Sequence, residues 1–556
     1  MTLHDENEFK IKGYSNAIFN LERYNEPIST TSVVDLEKIQ GVGKSTAKAI
    51  DEINKTGELE ALELLKKETP EGVMEMLRIK GLGTKKIKVL WKQLDITNTT
   101  ALLKIADNGE LAKVKGFGDK TAQNIKEILS FLEENKGKLH YSDAERISKE
   151  LIQELMRQFP NDLIEISGEV RRKLDVINEI KFVIGTESKL AITTHLASLS
   201  NLNHEAAQSS PKAWRGSLAE NGTPIVFQFC KKSEFYNSLI KSTGSAMHLS
   251  QEIKDGLTLN DILRDYELEG EEQAYEIAKT PYIAPELREG DFEWQAANEN
   301  RLPVLVEMDD LQGILHNHST WSDGKHSLQE MAEKCRDLGY KYLGISDHSK
   351  SAFFYANGLF EERIEKQHVE IEELNQSMSP FKIFKGIESD ILPDGRLDYD
   401  DEVLSTFDFI VSSIHSGLSM DIEKATNRLL TAIANPFTTM LGHPTGRLLL
   451  KRKGYPIDHK RIIDACAEYG VIIEINANPW RLDLDWRWVN YALGQGVRLS
   501  INPDAHDKER YGDMYYGLCV GRKGGLTKEM TFNALSVTEV ESHFLKRKER
   551  AFSKLK

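Results

Sequence analysis

Two hydrophobic rhythms divide the chain. In the first third, apolar residues recur at helical spacing around three short glycine turns. These are Ile39-Gln-Gly41-Val-Gly43 with Ala47 and Ile50, Ile79-Lys-Gly81-Leu-Gly83 with Ile87, and Val114-Lys-Gly116-Phe-Gly118 with Ala122 and Ile125. Each reads as helix, tight turn and second helix, the glycines permitting φ > 0 and the close approach of another backbone. Beyond residue 310 the rhythm changes to continuous apolar runs separated by helix-like segments, for example Ser327–Leu338 and Ile422–Asn435. Such runs predict parallel strands buried on both faces. With Val471-Ile-Ile-Glu-Ile-Asn476, which carries no obvious ligand, they make about seven β/α units. That is an incomplete barrel relative to the familiar eight, with its chemistry expected at the C-terminal strand ends.

Length and composition narrow the class. A chain of 556 residues suggests three to four domains, taking about 150 residues for each. With 40% apolar and 29% charged residues it is neither fibrous nor wholly disordered. Lys+Arg 72 against Asp+Glu 87 leaves −15, so any nucleic-acid contact must be local. Local charge exists: Lys85, Lys86 and Lys88 follow the second turn, and Lys113, Lys115 and Lys120 surround the third. Outward helix amides beside such lysines suit one DNA phosphate, held without reading bases. Gly41, Gly43, Gly81, Gly83, Gly116 and Gly118, with Lys85 and Lys120, are the candidate DNA contacts. Acids (Asp35, Glu37, Asp51, Glu52) flank the first turn, which favours the second and third. Cys230, Cys335, Cys466 and Cys519 form no CxxC pair, so no zinc knuckle or disulfide framework is indicated. With no basic n-region and no apolar stretch of about 18 residues, a soluble cytoplasmic protein is expected.

The histidines concentrate late: nine of 15 lie between residues 316 and 506. Most close a strand-type run, as in Gly313-Ile-Leu-His316-Asn-His318, Tyr342-Leu-Gly-Ile-Ser-Asp-His348, Phe409-Ile-Val-Ser-Ser-Ile-His415, Met440-Leu-Gly-His443 and Val497-Arg-Leu-Ser-Ile-Asn-Pro-Asp504-Ala-His506. Ile383-Phe-Lys-Gly-Ile-Glu388 ends in a carboxylate, and Asp323 follows on the loop Trp321-Ser-Asp323-Gly324. Residues two apart on an extended segment share a side, which pairs His316 with His318 and Asp504 with His506. Imidazole with carboxylate suits zinc, manganese or iron better than magnesium or calcium. Nine donors exceed one tetrahedral ion and fit a cluster of two or three divalent ions. His326, His368 and His459 sit in loop or helix-like contexts and are taken as bystanders.

The opening, Asn7-Glu-Phe-Lys-Ile-Lys-Gly-Tyr-Ser-Asn-Ala-Ile, resembles the first helix of the lyase-type domain in bacterial family X DNA polymerases. Further on, Gly168-Glu169-Val170-Arg171-Arg172 and Asn178-Glu179-Ile180-Lys181-Phe182-Val183-Ile184 are similar to that family's nucleotidyltransferase palm. The family pattern is Gly-Ser-x-x-Arg, then Asp-x-Asp leading into an apolar strand, the aspartates binding paired Mg²⁺ for in-line attack. Here Glu179 and Lys181 stand in the Asp-x-Asp places. Counting back from Thr243-Gly244-Ser245, which resembles the family's thumb motif, the third carboxylate position falls near Val226. Glu169 stands where the family has serine. A lysine ammonium has no lone pair for a metal, so the palm is expected to fold without polymerising.

From about residue 311 to 550 the chain resembles the polymerase-and-histidinol-phosphatase (PHP) domain, with every ligand position filled. The likeness extends to Glu388-Ser-Asp-Ile-Leu-Pro-Asp-Gly395-Arg-Leu-Asp398 and to Glu474-Ile-Asn-Ala-Asn-Pro-Trp-Arg481. By that resemblance His316, His318, Glu388 and Asp504 surround one metal. Glu388 bridges to a second held with His415 and His443, and Asp323, His348 and His506 hold a third. The whole resemblance implies an all-α helix-hairpin-helix region, an α+β palm and thumb, and a distorted (β/α)7 PHP barrel. The expected domains are 1–80 lyase-type, 81–145 fingers-like, 146–232 palm, 233–300 thumb-like and 311–556 PHP, with 287–310 read as a polar linker. It implies a 3′–5′ exonuclease or phosphatase at DNA ends, with Arg481 as phosphate clamp and Trp321 as a base-stacking ring. Two other readings stay open: a small-molecule phosphatase carrying vestigial DNA domains, and an active repair polymerase. DNA held by its backbone is the expected partner, without a membrane, and a monomer is expected.

Overall fold

The three glycine turns close with one repeated backbone hydrogen bond in the computed structural model, which describes residues 1–21, 24, 27–77, 79, 82–254 and 256–555. The amides of Val42, Leu82 and Phe117 donate to the carbonyls of Ile39, Ile79 and Val114 respectively, each at 3.0 Å. This tucks the residue between the glycines inward, and Val42, Leu82 and Phe117 are all buried. The first glycine is left-handed, with φ +83° at Gly41 and +96° at Gly116; Gly81 lies outside the described residues. The second glycine caps the next helix: α1 (Lys44–Thr56), α2 (Thr84–Leu94) and α3 (Asp119–Glu134). A Cβ added to Gly43, Gly83 or Gly118 would meet nothing within 4 Å, so each helix N-terminus opens onto free space. Lys85 and Lys120 are exposed beside two of these termini. Every regular element of this unit, Met1–Asn135, is helical.

The second unit, Lys136–Lys556, begins with α4 (Tyr141–Gln158) against a five-stranded sheet. Its strands are β1 (Leu163–Ser167), β2 (Ile180–Gly185), β3 (Leu202–His204), β4 (Ala213–Leu218) and β5 (Pro224–Cys230), in the spatial order β1-β2-β5-β4-β3. Ile180, Phe182 and Ile184 alternate into the core, where Phe182 stacks on Phe227 at 4.7 Å. The intervening Lys181 therefore takes the other face, in register with Val226 on β5, which pairs with Arg215 on β4.

The stretch 287–310, expected as a linker, is instead built into the fold: Arg288 and Trp294 are fully buried and Val306 joins the barrel core. Charges within and beside it are paired with groups elsewhere in the chain. Arg288 Nη1 reaches Glu271 at 2.8 Å, Arg172 Nε reaches Glu289 at 2.8 Å, and Arg522 Nη2 reaches Glu286 at 2.8 Å. Paired charges bury where a run of unpaired acids would stay solvated.

Seven parallel strands follow in chain order: β6 (Gly313–Ile314), β7 (Tyr342–Ile345), β8 (Lys382–Asp390), β9 (Phe409–Ser413), β10 (Met440–Leu441), β11 (Ile472–Asn476) and β12 (Leu499–Asn502). The ring closes beyond β6 and β12 by hydrogen bonds from His318 N to Ala505 O (2.9 Å) and Asp504 N to His316 O (3.1 Å). Helices α5 (Leu328–Asp337), α6 (Ile422–Ala434) and α7 (His459–Tyr469) start at Ser327, Asp421 and Asp458, whose side chains accept the first free amides. Residues Tyr515, Tyr516 and Cys519 of α8 (Met514–Lys523) enter the core of the five-stranded sheet, so sheet and barrel share packing. Inside the barrel, Phe409 stacks on Phe544 of α9 (Val537–Leu555) at 5.3 Å, and Leu315, Phe384, Met440 and Ile472 surround them. Gly386 makes room for this ring: a Cβ there would lie 2.2 Å from Phe409 Cζ. Among the described residues no helix is long and apolar enough to cross a membrane.

Because Phe544 is buried at the barrel's base, Phe544→Ala should cost about 3–5 kcal/mol through lost burial and the cavity left behind. Urea denaturation measures it, and a loss under about 1 kcal/mol would mean that α9 does not plug the barrel.

Candidate metal centre and palm cleft

Strand ends deliver the side chains. An extended segment after β6 places His316 and His318 on one side, and β7, β9 and β10 run into His348, His415 and His443. Glu388 projects from β8 itself, and Asp504 and His506 follow β12. Gly324 lets the loop bearing Asp323 close over this mouth, since a Cβ there would sit 2.4 Å from His318 O. The backbone is left-handed at Asp504 (φ +51°), at a cost of about 1–3 kcal/mol for a non-glycine residue.

All nine side chains converge. Glu388 Oε1 lies 3.0 Å from His443 Nε2, 3.2 Å from His415 Nε2 and 3.3 Å from His316 Nε2. Its Oε2 lies 2.9 Å from His348 Nδ1 and 3.6 Å from His318 Nε2. Asp504 Oδ1 stands 3.2 Å from His318 Nε2, and Asp323 Oδ1 stands 3.3 Å from His506 Nε2. Three sets of donor atoms are close enough to share an ion: His318, Asp323, His348 and His506; His316, His318 and Asp504; and His348, Glu388 and His415. These sets overlap, and they seat His348 with Glu388 as well as with Asp323. The buried atoms His316 Nε2, His348 Nδ1 and Glu388 Oε2 have no hydrogen-bond partner, although His348 Nδ1 faces Glu388 Oε2 and His316 Nε2 faces the Oε1 of the same carboxylate. Buried polar atoms are normally satisfied, so this donor set fits divalent cations.

Residues of the two family-like segments that were not counted as ligands hold these donors in place. The His316 Nδ1 proton is donated to Glu474 Oε1 at 2.6 Å, which turns the Nε2 lone pair toward the centre. Glu474 Oε2 also accepts the His443 amide at 2.8 Å. Asp390 accepts from His415 Nδ1, and Asn476 Nδ2 donates to Asp504 Oδ2 at 3.1 Å. Glu474 is a lone acid within an otherwise apolar strand, a signal that was available.

Burial opposes charge throughout the cluster, yet pairing overrides it at most positions. Glu388 and Asp504 are held well below the usual carboxylate range, by His415 and His316 above all. Burial would lower His415, but Glu388 and Asp390 raise it to about 10. Asp323 and Asp504 likewise lift His506 to about 9. His318 goes the other way, to about 3, through burial and the neighbouring His506 and His348.

Arg481 Nε lies 3.5 Å from Asp504 Oδ2 at the mouth. Trp321 is packed rather than free to stack: its indole donates to Glu370 at 2.7 Å, with Arg363 over the ring at 5.8 Å. The bystander histidines lie outside the cluster, His459 stacked on Trp488 at 4.6 Å, His368 edge-on to Phe407 at 5.1 Å and His326 beside Asp507 at 3.7 Å.

Beside the five-stranded sheet, in the stretch expected as a palm, lies a cleft of about 790 Å³ lined by Glu179, Lys181, Arg215 and Val226 among others. Lys181 Nζ pairs with Glu179 Oε2 at 2.9 Å. The Glu169 carboxylate accepts the Asn178 amide at 2.6 Å and so ties its own loop. Arg171 and Arg172 both reach Thr243, through Oγ1 (3.2 Å) and the carbonyl (2.7 Å).

Helix-hairpin-helix repeats, an α+β body and a barrel with a metal-capable mouth together define a nucleic-acid-processing class of enzyme. Comparison agrees in parts and as a whole. The helix-hairpin-helix domain family matches residues 1–59, a SAM-like helix-hairpin-helix tandem matches 73–130, and the PHP domain matches 315–478. The DNA polymerase/3′-5′ exonuclease PolX of Bacillus subtilis (strain 168) is 34% identical over 560 residues, covering 98% of this chain and 97% of that protein. The chain therefore belongs to the bacterial family X DNA polymerases with a C-terminal PHP domain. A probable phosphatase of Thermoanaerobacter sp. (strain X514) is 25% identical over 256 residues, 43% of this chain and 96% of its own. Another, from Caldanaerobacter subterraneus subsp. tengcongensis, is 26% identical over 215 residues, 35% of this chain and 77% of its own.

Metal loading must displace protons from this site. At pH 7 His415 and His506 lie below their values of about 10 and about 9, so both carry protons that compete with a cation. Manganese added to the stripped protein at pH 7 should release protons, and its affinity should rise toward pH 9 as competition falls. Calorimetry in two buffers of different ionisation enthalpy counts the protons, and a count of zero contradicts the assignment.

Proposed function

We propose that the barrel is a metal-dependent phosphoesterase acting at DNA 3′ ends, as a 3′–5′ exonuclease or phosphatase, and that the palm does not polymerise. The observation that carries the first half is the nine-donor cluster on a chain that keeps its helix-hairpin-helix repeats. The metal ligands we assign are His316, His318, Asp323, His348, Glu388, His415, His443, Asp504 and His506, for two or three ions of zinc, manganese or iron. Such ions supply Lewis acidity toward phosphate oxygens and lower the pKa of a coordinated water. The chain's own residues do the positioning. Glu474 and Asp390 fix the ring orientations of His316 and His415. Arg481 stands where a guanidinium could hold a non-bridging phosphate oxygen, once its contact with Asp504 is exchanged. Open helix N-termini at Gly43, Gly83 and Gly118, with Lys85 and Lys120, would grip the DNA backbone without reading sequence.

The palm reading rests on charge. Where two metal-binding carboxylates are needed, Glu179 is already neutralised by Lys181, and Val226 sits beside them. A cation at Lys181 repels metal rather than binding it. The two relatives called probable phosphatases, matching 43% and 35% of this chain, favour a second reading of small phosphoester substrates. Retained phosphate-gripping turns speak for DNA instead.

Turnover of a 3′-labelled oligonucleotide should exceed that of a sugar phosphate, and the reverse order would select the second reading. His318→Ala should abolish hydrolysis with DNA binding kept, whereas Glu474→Gln should lower it about 10- to 100-fold by loosening His316. Primer extension with Mg²⁺ or Mn²⁺ should give no product; template-dependent incorporation lost in Glu179→Ala would overturn the silent palm.

A further inference from the structure

The segment after β7 exposes an unusual run of aromatic side chains. Phe353, Phe354 and Tyr355 share one short helix (Phe353–Ala356), and Phe360 follows. Phe354 is 97% exposed, Tyr355 58%, Phe360 45% and Phe353 41%. The rings are mutually braced: Phe353 lies edge-on to Phe354 at 5.6 Å and to Phe360 at 5.2 Å. Contiguous apolar surface of this kind is unfavourable in water and marks a place where something docks.

Its position says what docks. The Tyr355 hydroxyl donates to Asp390 Oδ2 at 3.2 Å, and Asp390 holds His415 of the metal cluster. The other end of the segment is fastened to the same mouth, with Leu359 N donating to His348 O at 2.8 Å. Elsewhere on the rim, after β11, Trp480 is 54% exposed and immediately precedes Arg481, the arginine beside Asp504. β7 and β11 are three strands apart by the shorter way round the ring of seven, so aromatic faces stand on separate sides of the mouth.

Resting on the phosphoesterase reading above, we propose that Phe354, with Tyr355 and Trp480, forms a stacking platform for unpaired bases at a DNA 3′ end. A strand entering the mouth presents phosphates to the donor cluster and base faces to the rim. Stacking accepts any base, which suits an enzyme that must work through arbitrary sequence. The 3′ end must then be single-stranded over its last few nucleotides, because a paired base has no free face to offer.

The test uses the full-length, manganese-loaded protein and two oligonucleotides, one ordinary and one with abasic residues at its last two 3′ positions. Phe354→Ala should raise KM for the ordinary strand about ten-fold, with kcat within about two-fold. The abasic strand should show that same raised KM in wild type and variant alike. Equal KM values for the ordinary strand in wild type and Phe354→Ala overturn the platform while leaving the phosphoesterase reading intact. No hydrolysis of either strand by the wild type overturns that reading instead. A second measurement then decides the platform without turnover. A 3′-terminal 2-aminopurine should be quenched on binding the chelated wild type and remain bright with Phe354→Ala, and equal brightness in both rejects stacking.

Discussion

Five imidazoles lie within 3.6 Å of a single carboxylate, Glu388, which is 1% exposed. Much of the barrel is arranged around that crowding. Nitrogen lone pairs and carboxylate oxygens gathered in a dry pocket repel one another unless positive charge sits among them, as protons or as cations. The strands must therefore end at one level and hold their side chains rigidly, or the cluster would spread and hydrate. Short strands β6 and β10, the closing hydrogen bonds between His316, His318 and the 504–505 backbone, and the aromatic plug at Phe409 and Phe544 all serve that end. Glu474, fully buried, reaches both His316 and the His443 backbone and so ties two sides of the ring together.

The cleft beside the five-stranded sheet balances its charge in the opposite way. Its strand-face carboxylate at Glu179 is neutralised by its own neighbour Lys181, so nothing there calls for an outside cation. Arginines of the Gly-x-x-x-Arg turn have likewise been taken up by protein carboxylates: Arg171 binds Glu271 at 2.6 Å and Arg172 binds Glu289 at 2.8 Å. Lys523, from the barrel's helix α8, is fully buried against that junction and donates to the Arg172 carbonyl at 2.9 Å. These arginines thus tie the five-stranded sheet to the 271–289 segment and to the barrel.

Local features were legible in the chain, and long-range pairing was not. The glycine turns repeat because their hydrogen bond spans only three residues, so pattern and geometry coincide at Gly41 and Gly116. The convergence of nine donors was also readable, since all but Asp323, which lies on a loop, stand at or just beyond a strand end, and parallel strands of a barrel end together. Glu474 hid inside an apolar run because a strand pattern shows that a side chain points inward, not what it meets there. The 287–310 stretch looked like a solvated linker for a related reason: the cations that bury its acids, such as Arg172 and Lys523, lie more than 100 residues from Glu289 on either side. Trp321, expected as a base-stacking ring, has its indole satisfied by Glu370, whereas Phe354 and Trp480 are exposed.

Exposure also grades the cluster. His316 and Glu388 are sealed from water, whereas the side chains of Asp323 and His506 are about a third exposed, 32% and 37%. Ions bound among the sealed donors would keep their ligands, because leaving means crossing a dry wall braced by Glu474 and Asp390. At the outer set, His318, Asp323, His348 and His506, solvent already reaches two of the four donors. A charged substrate oxygen would undergo the least desolvation there. The same gradient points from the barrel interior toward the rim that carries Arg481 and the open rings. A substrate approaching from solvent would thus meet base-binding surface first, labile coordination next and fixed coordination last. On the proposed function, such an order would let a strand be gripped before it is cut.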